Sequence, residues 1–305
     1  MSKILLTGGL GVVGTALTAE LERRGHDVWV CDLYHNHSPK YIRCDIGEYR
    51  QLERIFQRHK FDYVYNLAAE FGRWNGEDYY EKVWKSNAIG MKNVIRLQEE
   101  YRFRLIHFSS SEVYGDYEDV MYEDVLDKYP IKQMNDYAIS KWVNELQIHN
   151  SELMHQTETV RVRLFNTYGP GEYYSPYRSV ICMFTYCAIH DIPYTVYTDH
   201  HRTNTYIDDC VRALATICEN FKPGEVYNIA STEYYDIKTI SDYVLKASGK
   251  SDKLVTYKPS EPQTTKDKKV DNTKAARDLG MKTTISLEEG IRRNVEWMKS
   301  VYHVD

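Results

Sequence analysis

This chain has little with which to cross a membrane, cross-link itself or hold a nucleic acid. No apolar run in its 305 residues approaches the ~20 needed to span a bilayer. Residues 1–7 lead straight into a strand-like segment, which reads as a chain without a signal peptide. The six cysteines, at 31, 44, 182, 187, 210 and 218, form no CxxC pair. They fall in strand-like or helical stretches and read as reduced core residues of a cytosolic, that is cytoplasmic, protein. The 11 histidines contain no HExxH or other ligand spacing, so no metal is expected, and His200-His201 reads as a solvated loop. A net charge of -5 argues against a nucleic-acid surface, though not against a nucleotide. Repeats, low-complexity tracts and long linkers are missing too. What remains is 42% hydrophobic and 27% charged, enough to bury one large or two modest cores.

The N-terminus carries the first positive signal. Lys3-Ile4-Leu5-Leu6-Thr7 is a short apolar strand running into Gly8-Gly9-Leu10-Gly11-Val12-Val13-Gly14 and an amphipathic helix to about Arg24. Glycines at 8, 11 and 14 make a tight turn, face backbone amides toward a pyrophosphate and open a helix N-terminus whose dipole favours negative charge. A second strand, Asp27-Val28-Trp29-Val30-Cys31, ends at Asp32. A carboxylate there accepts a bond from a ribose 2′-hydroxyl and repels a 2′-phosphate, which predicts NAD rather than NADP.

The second signal is Tyr137-Ala138-Ile139-Ser140-Lys141, read with Ser109-Ser110-Ser111 upstream. Tyrosine and lysine four apart share a helix face. A free phenol titrates near pH ~10 and is a poor base at neutrality; the lysine ammonium is expected to favour the phenolate and lower that value. With a serine hydroxyl nearby, the set is built to take a proton from an alcohol while hydride leaves for a cofactor.

Strand-like and helix-like segments alternate along the chain: strands near 42–45, 63–66, 104–109 and 159–163, and helices near 49–58, 78–101 and 136–154. This predicts an α/β fold, a Rossmann-type doubly wound parallel sheet over residues 1–168, with ligands beyond the C-terminal strand ends. Residues 169–305 read mainly as a smaller, interleaved substrate lobe, with some later segments returning to the sheet. The 27 tyrosines are unusual, and those in Tyr168–Tyr177 are expected to line a polar, sugar-like ligand.

These motifs resemble those of the extended short-chain dehydrogenase/reductases, specifically the NAD-dependent nucleotide-sugar epimerases and dehydratases. The resemblance spans Lys3 to about Trp297. It rests on the glycine loop, Asn66-Leu67-Ala68-Ala69, Asn87 with Gly90 and Asn93, Ser109 to Gly115, Tyr137 to Lys141, Arg163 to Gly171, Arg202 followed by Tyr206-Ile207-Asp208-Asp209, and Ser286 to Gly290. It implies Tyr137 as catalytic base, Lys141 as its partner, and Ser110 as the hydroxyl bridging substrate and tyrosine. It implies that Gly8, Gly11, Val12, Val13, Gly14, Asp32, Asp45, Ile46, Ala68, Ala69 and Asn87 hold NAD. Ser111, Asn166, Arg178 and Arg202 are expected to hold a nucleotide-diphosphate sugar. Intact Tyr137, Lys141 and Ser110 speak against a non-catalytic NAD-binding regulator.

The shared chemistry is transient oxidation of the sugar at C4. The reading adopted from the sequence is a 4-epimerase; the alternative is a 4,6-dehydratase or a hexuronate decarboxylase, because Ser111-Glu112 resembles the Ser-Glu pair of those enzymes and Glu112 would serve as an extra acid/base. Two departures bear on substrate. Glu70 to Gly76 lacks the usual Ser…Pro pattern, with Arg73 read as a surface charge. The second diphosphate arginine is replaced by Glu261 ahead of Pro262; two alternatives stand, compensation by Lys266, Lys268 or Lys269, or a diphosphate that leans more on Arg178 and Arg202. A homodimer is expected through the helices 78–101 and 136–154, using Val83, Ile89, Val94, Leu97, Trp142, Leu146 and His149.

Overall fold

The computed structural model describes residues 1–261 and 264–304, so Pro262 lies outside the described residues. Its frame is a seven-stranded parallel sheet. The strands β1 (Lys3–Thr7), β2 (Asp27–Asp32), β3 (Tyr41–Arg43), β4 (Tyr63–Asn66), β5 (Arg104–Ser110) and β6 (Thr159–Leu164) are joined by Val226–Ile229 at one edge. The spatial order is Val226–Ile229, β6, β5, β4, β1, β2, β3, so the direction of winding reverses beside β1. That reversal opens a crevice at the carboxyl ends of β1 and β4, where open α/β sheets place their ligands.

Period-two alternation explains why the sheet is covered on both faces. Ile4 and Leu6 join the larger core with Tyr65, Ile106, Phe108, Val160 and Val162. Leu5, between them, points to the other face with Val64 and Leu105. The first helix, α1 (Val12–Arg23), lies against the larger core through Leu17 and Leu21. Late residues return to the frame, since Val226–Ile229 pairs in parallel with β6. Among the described residues, no helix is long and apolar enough to cross a membrane, and no cluster of His, Cys, Asp and Glu is able to hold a metal ion. All six cysteines are buried and free.

The expected single helix over 78–101 is instead broken. Helical segments Arg73–Asp78 and Tyr80–Val83 meet at Tyr79, which leaves helical geometry at φ -137°, ψ 49°. A wider π turn, Trp84–Ile89, precedes the regular helix Gly90–Tyr101. The π turn carries Asn87 inward, where it takes the Glu70 N–H (2.9 Å) and donates to the Glu70 carbonyl (3.0 Å) and Ser140 (2.9 Å). Gly90 then lets Ile46 press on the helix backbone; a Cβ there would stand 2.8 Å from the isoleucine side chain. The face expected to pair two copies is correspondingly smaller. Val83, Val94 and Leu97 are fully buried in the protomer, whereas Ile89, Leu146, Leu153 and Met154 are exposed.

Candidate active site

A cleft of about 740 Å³ runs along the carboxyl ends of the strands. Its first wall is the glycine loop. Gly8 has φ +70°, and a Cβ on it would stand 2.6 Å from the Ala68 backbone nitrogen. A Cβ on Gly14 would fall 2.6 Å from the Gly8 carbonyl oxygen, so α1 reaches the loop only because that residue is glycine. No side chain caps α1 at Gly11, and the orphan N–H groups of its first turn, around Val12 and Val13, face the cleft. Asp32, at the end of β2, is oriented by two backbone donors, Leu10 N–H (3.0 Å) and Leu33 N–H (2.7 Å). Asp45 and Ile46 continue the wall; Asp45 accepts from Gly47 (2.8 Å), and Asn93 holds the Ile46 carbonyl (2.8 Å). Ala68 and Ala69 close it from β4. An uncapped helix N-terminus, glycine contacts that leave no space for Cβ atoms and an oriented carboxylate at the second strand end fit a dinucleotide. Asn87 does not line this wall: its amide is occupied by Glu70 and Ser140, so it braces the cleft from behind.

The reacting end is built where β5 meets the helix Asp136–His155. Ser110 caps the short turn Ser111–Tyr114 by accepting the Glu112 N–H (3.2 Å), and it also hydrogen-bonds Tyr137. Asn135 caps the helix at Ala138 N–H (2.8 Å), fixing where Tyr137 enters the cleft. Lys141 does not lower the Tyr137 value as expected. Its ammonium donates to the Phe108 carbonyl (2.8 Å) and stands 5.9 Å from the tyrosine ring centre. Burial pushes the Tyr137 phenol up to about 12, against the Ser110 bond and with help from the Glu112 charge. Burial likewise brings Lys141 down to about 8, partly opposed by Glu145.

Beneath this end lies a polar floor that sequence reasoning missed. Ser109 donates to Glu145 (2.5 Å), and Arg163 meets both Glu145 oxygens (3.0 and 2.7 Å). Arg163 also donates to the Tyr114 hydroxyl (2.9 Å), which donates to Asn228 (2.7 Å). Burial alone would push the Glu145 carboxyl up; Arg163 and Ser109 outweigh it and hold it low. The spacing of Lys141 and Glu145, one turn apart, was the available signal. Satisfied buried networks of this kind fix geometry, and this one fixes the Ser109–Ser111 segment against the tyrosine helix.

Segments from later in the chain bring cations to the facing wall of the cleft. Strand His201–Thr203 pairs in parallel with Asp267–Lys268, setting Lys268 opposite Arg202. Lys268 is buried and ion-paired with Glu112 across the cleft. Burial would push the Glu112 carboxyl up, but Lys268, Arg202 and Arg73 outweigh it and hold it below the usual carboxylate range. Lys268 is pulled below its ordinary value by burial and by Arg202 and Arg73, despite Glu112 beside it. Arg202 is anchored through the His201 (2.8 Å) and Lys266 (2.7 Å) carbonyls. Asn166, at φ +34°, donates to the Thr203 carbonyl (3.1 Å), and Arg178 stacks 4.0 Å over the Phe71 ring. Ser111 lines the same cleft.

Three expectations are corrected here. Arg73 is not a surface charge: only 13% exposed, it lines the cleft and meets Glu261 at 2.5 Å. His200 is buried, with its Nε2 accepting the Glu261 N–H (2.9 Å), so the histidine pair is not a solvated loop. Of the tyrosines in Tyr168–Tyr177, only Tyr177 lines the cleft among the described residues. Tyr168 is buried against Tyr206, Tyr173 packs on Trp297, and Tyr174 stacks on Tyr186 at 3.8 Å.

A dinucleotide wall, a Ser–Tyr–Lys set at its inner end and a cationic facing wall define an NAD-dependent enzyme of nucleotide sugars. Residues 4–230 match the NAD dependent epimerase/dehydratase family, and the chain belongs to it. It is 27% identical to the UDP-N-acetyl-alpha-D-glucosaminuronate decarboxylase of Bacillus cytotoxicus, covering 98% of each chain. It is 28% identical to UDP-glucuronic acid decarboxylase 1 of Arabidopsis thaliana, over 96% of this chain and 69% of that one. Among solved structures, the UDP-glucuronic acid 4-epimerase of Bacillus cereus, in complex with UDP-glucuronic acid and NAD, superposes with a TM-score of 0.86 at 26% identity, over 98% of this chain and 100% of that one.

Proposed function

We propose that this enzyme decarboxylates a nucleotide-diphospho-hexuronate, by oxidation at C4 followed by loss of C6 as carbon dioxide. The observation that carries the reading is the charge at the sugar end: Lys268 and Arg202 side by side, with Glu112 held ionised against them. A neutral hexose offers Lys268 no anion besides the diphosphate it carries, whereas a hexuronate adds a C6 carboxylate. The dehydratase alternative asks Glu112 to take a C5 proton and a neighbour to protonate a leaving hydroxide. A carboxylate held below its usual range by Lys268 is a weak base, and the Ser111 hydroxyl is a weak acid. A 4-epimerase of a neutral hexose leaves the Glu112–Lys268 pair without a task; a 4-epimerase of a hexuronate would use the same cations, and release of carbon dioxide separates it from the decarboxylase. Relatives named as hexuronate decarboxylases support the same choice.

In this mechanism Tyr137 takes the C4 hydroxyl proton as its phenolate, a form that burial disfavours in the NAD-free protein and that the positive charges of Lys141 and of a bound nicotinamide would favour, with Ser110 holding the same oxygen. NAD, when bound along the glycine loop and Asp32, supplies the acceptor for the C4 hydride and later its return. The oxidised sugar is a β-keto acid. Its C5–C6 bond breaks, the electron pair moves into a C4–C5 enolate, and carbon dioxide leaves. Ser110 and protonated Tyr137 face the enolate oxygen, where fixed donors stabilise developing charge. Lys268 stands ready to return a proton to C5. The balance is one hexuronate and one proton to one pentose and one carbon dioxide.

Proton NMR in deuterium oxide tests this with UDP-, GDP-, dTDP- and CDP-linked hexoses and hexuronates. The expected result is a nucleotide pentose carrying one deuterium at C5, with release of labelled carbon dioxide from C6-labelled substrate. A C4 epimer free of solvent deuterium would establish the epimerase instead. A 6-deoxy-4-keto hexose with deuterium at C5 would establish the dehydratase.

A further inference from the structure

The mouth of the cleft is crossed by a contact between the two lobes. Arg73, on the segment after β4, donates from Nη2 to Glu261 Oε1 at 2.5 Å, and Trp74 Nε1 donates to the same oxygen at 3.2 Å. Glu261 is held from behind by its own N–H, which donates to His200 Nε2 at 2.9 Å. With Nε2 accepting, the proton of neutral His200 lies on Nδ1.

Two guanidinium nitrogens of these cleft-lining residues, Arg73 Nε and Arg178 Nε, are buried and have no acceptor among the described residues. Buried donors without partners are uncommon and each calls for an explanation. Here both belong to guanidinium groups around one cleft. Arg202, Arg178 and Arg73 together place three guanidiniums on the cleft. Glu261 is the carboxylate that neutralises Arg73.

From this we infer that Arg73 is a ligand of the substrate's diphosphate, and that Glu261 parks it across the cleft mouth until the diphosphate takes it over. The inference rests on the reading that the substrate is a nucleotide-diphosphate sugar, and not on which reaction follows. A diphosphate presents several oxygens to a forked guanidinium, and it is a stronger partner than one carboxylate. As Arg73 turns from Glu261 to phosphate, its free Nε gains an acceptor. Gly72 makes the position available: at φ +93° it lies so close to the Tyr177 carbonyl that a Cβ would stand 2.8 Å from it, which brings the Arg73 segment against the Arg178 segment. Glu261 acts as a competitor for Arg73, and its removal frees the arginine.

The test is calorimetric titration of the NAD-loaded full-length protein with UDP, GDP, dTDP, CDP and ADP, and with the corresponding nucleosides. Arg73→Met is expected to weaken the preferred nucleoside diphosphate about 10- to 100-fold and to leave its nucleoside within about twofold. Glu261→Gln is expected to tighten the diphosphate by about threefold or more. These opposite signs separate a ligand from a lobe-to-lobe fastener, for which both variants would weaken binding alike. Equal diphosphate affinity in Arg73→Met and the unaltered protein would overturn the inference for Arg73 alone. Failure of the unaltered protein to bind any diphosphate of the panel would overturn the nucleotide-sugar reading with it. NAD content and melting temperature are followed in both variants; if Arg73→Met loses either, Arg73→Lys replaces it, and a loss of diphosphate affinity under about threefold in that variant would overturn the inference.

Discussion

Replacing Lys268 by methionine removes one charge at nearly constant volume from the sugar end of the cleft. Lys268 is 2% exposed and its partner Glu112 is 22% exposed, so neither is screened as a surface pair would be. A carboxylate about 4 Å from that ammonium gains roughly 4 kcal/mol at an effective dielectric near 20. Part of this is already taken by Glu112, and the sugar carboxylate must lose its own water. A net of about 2–3 kcal/mol remains, typical of hydrogen bonds to charged groups. At about 1.4 kcal/mol per decade, kcat/KM for a nucleotide hexuronate should fall roughly 30- to 150-fold. Affinity for the neutral hexose on the same nucleotide should change less than about threefold. Deleting one partner of a buried ion pair is itself costly, by about 3–5 kcal/mol when the pair is fully enclosed. The double variant Lys268→Met with Glu112→Gln removes both charges and is the stability control. The assay is a competition between hexuronate and hexose, read by NMR for turnover and by calorimetry for binding. Equal losses for the two sugars would refute the idea that Lys268 meets a C6 carboxylate.

Tyr137→Phe keeps the ring and removes the proton acceptor; turnover should fall by ~10²–10⁴ or more while NAD retention and melting temperature stay close to those of the parent, measured by kinetics, absorbance and calorimetry. Asp32→Ala should raise NADP affinity relative to NAD, because the carboxylate held by Leu10 and Leu33 no longer repels a 2′-phosphate; paired titrations with both cofactors check it. Lys141 carries a pH signature in the NAD-free protein. Its folded value of about 8 lies below the ordinary 10.5, so between these values the unfolded chain binds more protons and this group makes stability rise with pH. At neutral pH the shift corresponds to a penalty of about 3 kcal/mol, offset by about 1 kcal/mol from the bond to Phe108. Lys141→Met should therefore be about 2 kcal/mol more stable at pH 7, an advantage that shrinks toward pH 10 in denaturant titrations.

Local chemistry made the sheet and half of the site legible from the sequence. Alternating apolar strands and helical periods predict the parallel frame because backbone geometry repeats every two or 3.6 residues, and the structure has it. Gly8, Gly14 and Asp32 were visible because a turn, a close approach and a strand end place them within one short unit. Tyr137 and Lys141 were visible because they share one helix. The helix over 78–101 was misread because its break comes from tertiary demands: Asn87 reaches Glu70 and Ser140, and Ile46 presses on Gly90. Periodicity records the apolar stripe and not such anchors.

What tertiary structure alone decided is electrostatic, and it concerns the substrate. Glu112 and Lys268 are 156 residues apart in sequence, Arg73 and Glu261 are 188 apart, and neither pairing leaves a local pattern. The values of Tyr137 and Lys141 were likewise set by the fold. A lysine one turn from a tyrosine suggested a lowered phenol, but burial drives Tyr137 up to about 12 and Lys141 down to about 8. Spacing along a helix states which groups are neighbours; desolvation by the folded surroundings, more than any neighbouring charge, sets which proton each one holds. The sequence by itself determined the Rossmann-type fold and the pairing of Tyr137 with Lys141 on one helix face, because those are encoded within short segments. Only the tertiary structure determined which charges face one another across the cleft, because that depends on contacts between segments far apart in the chain.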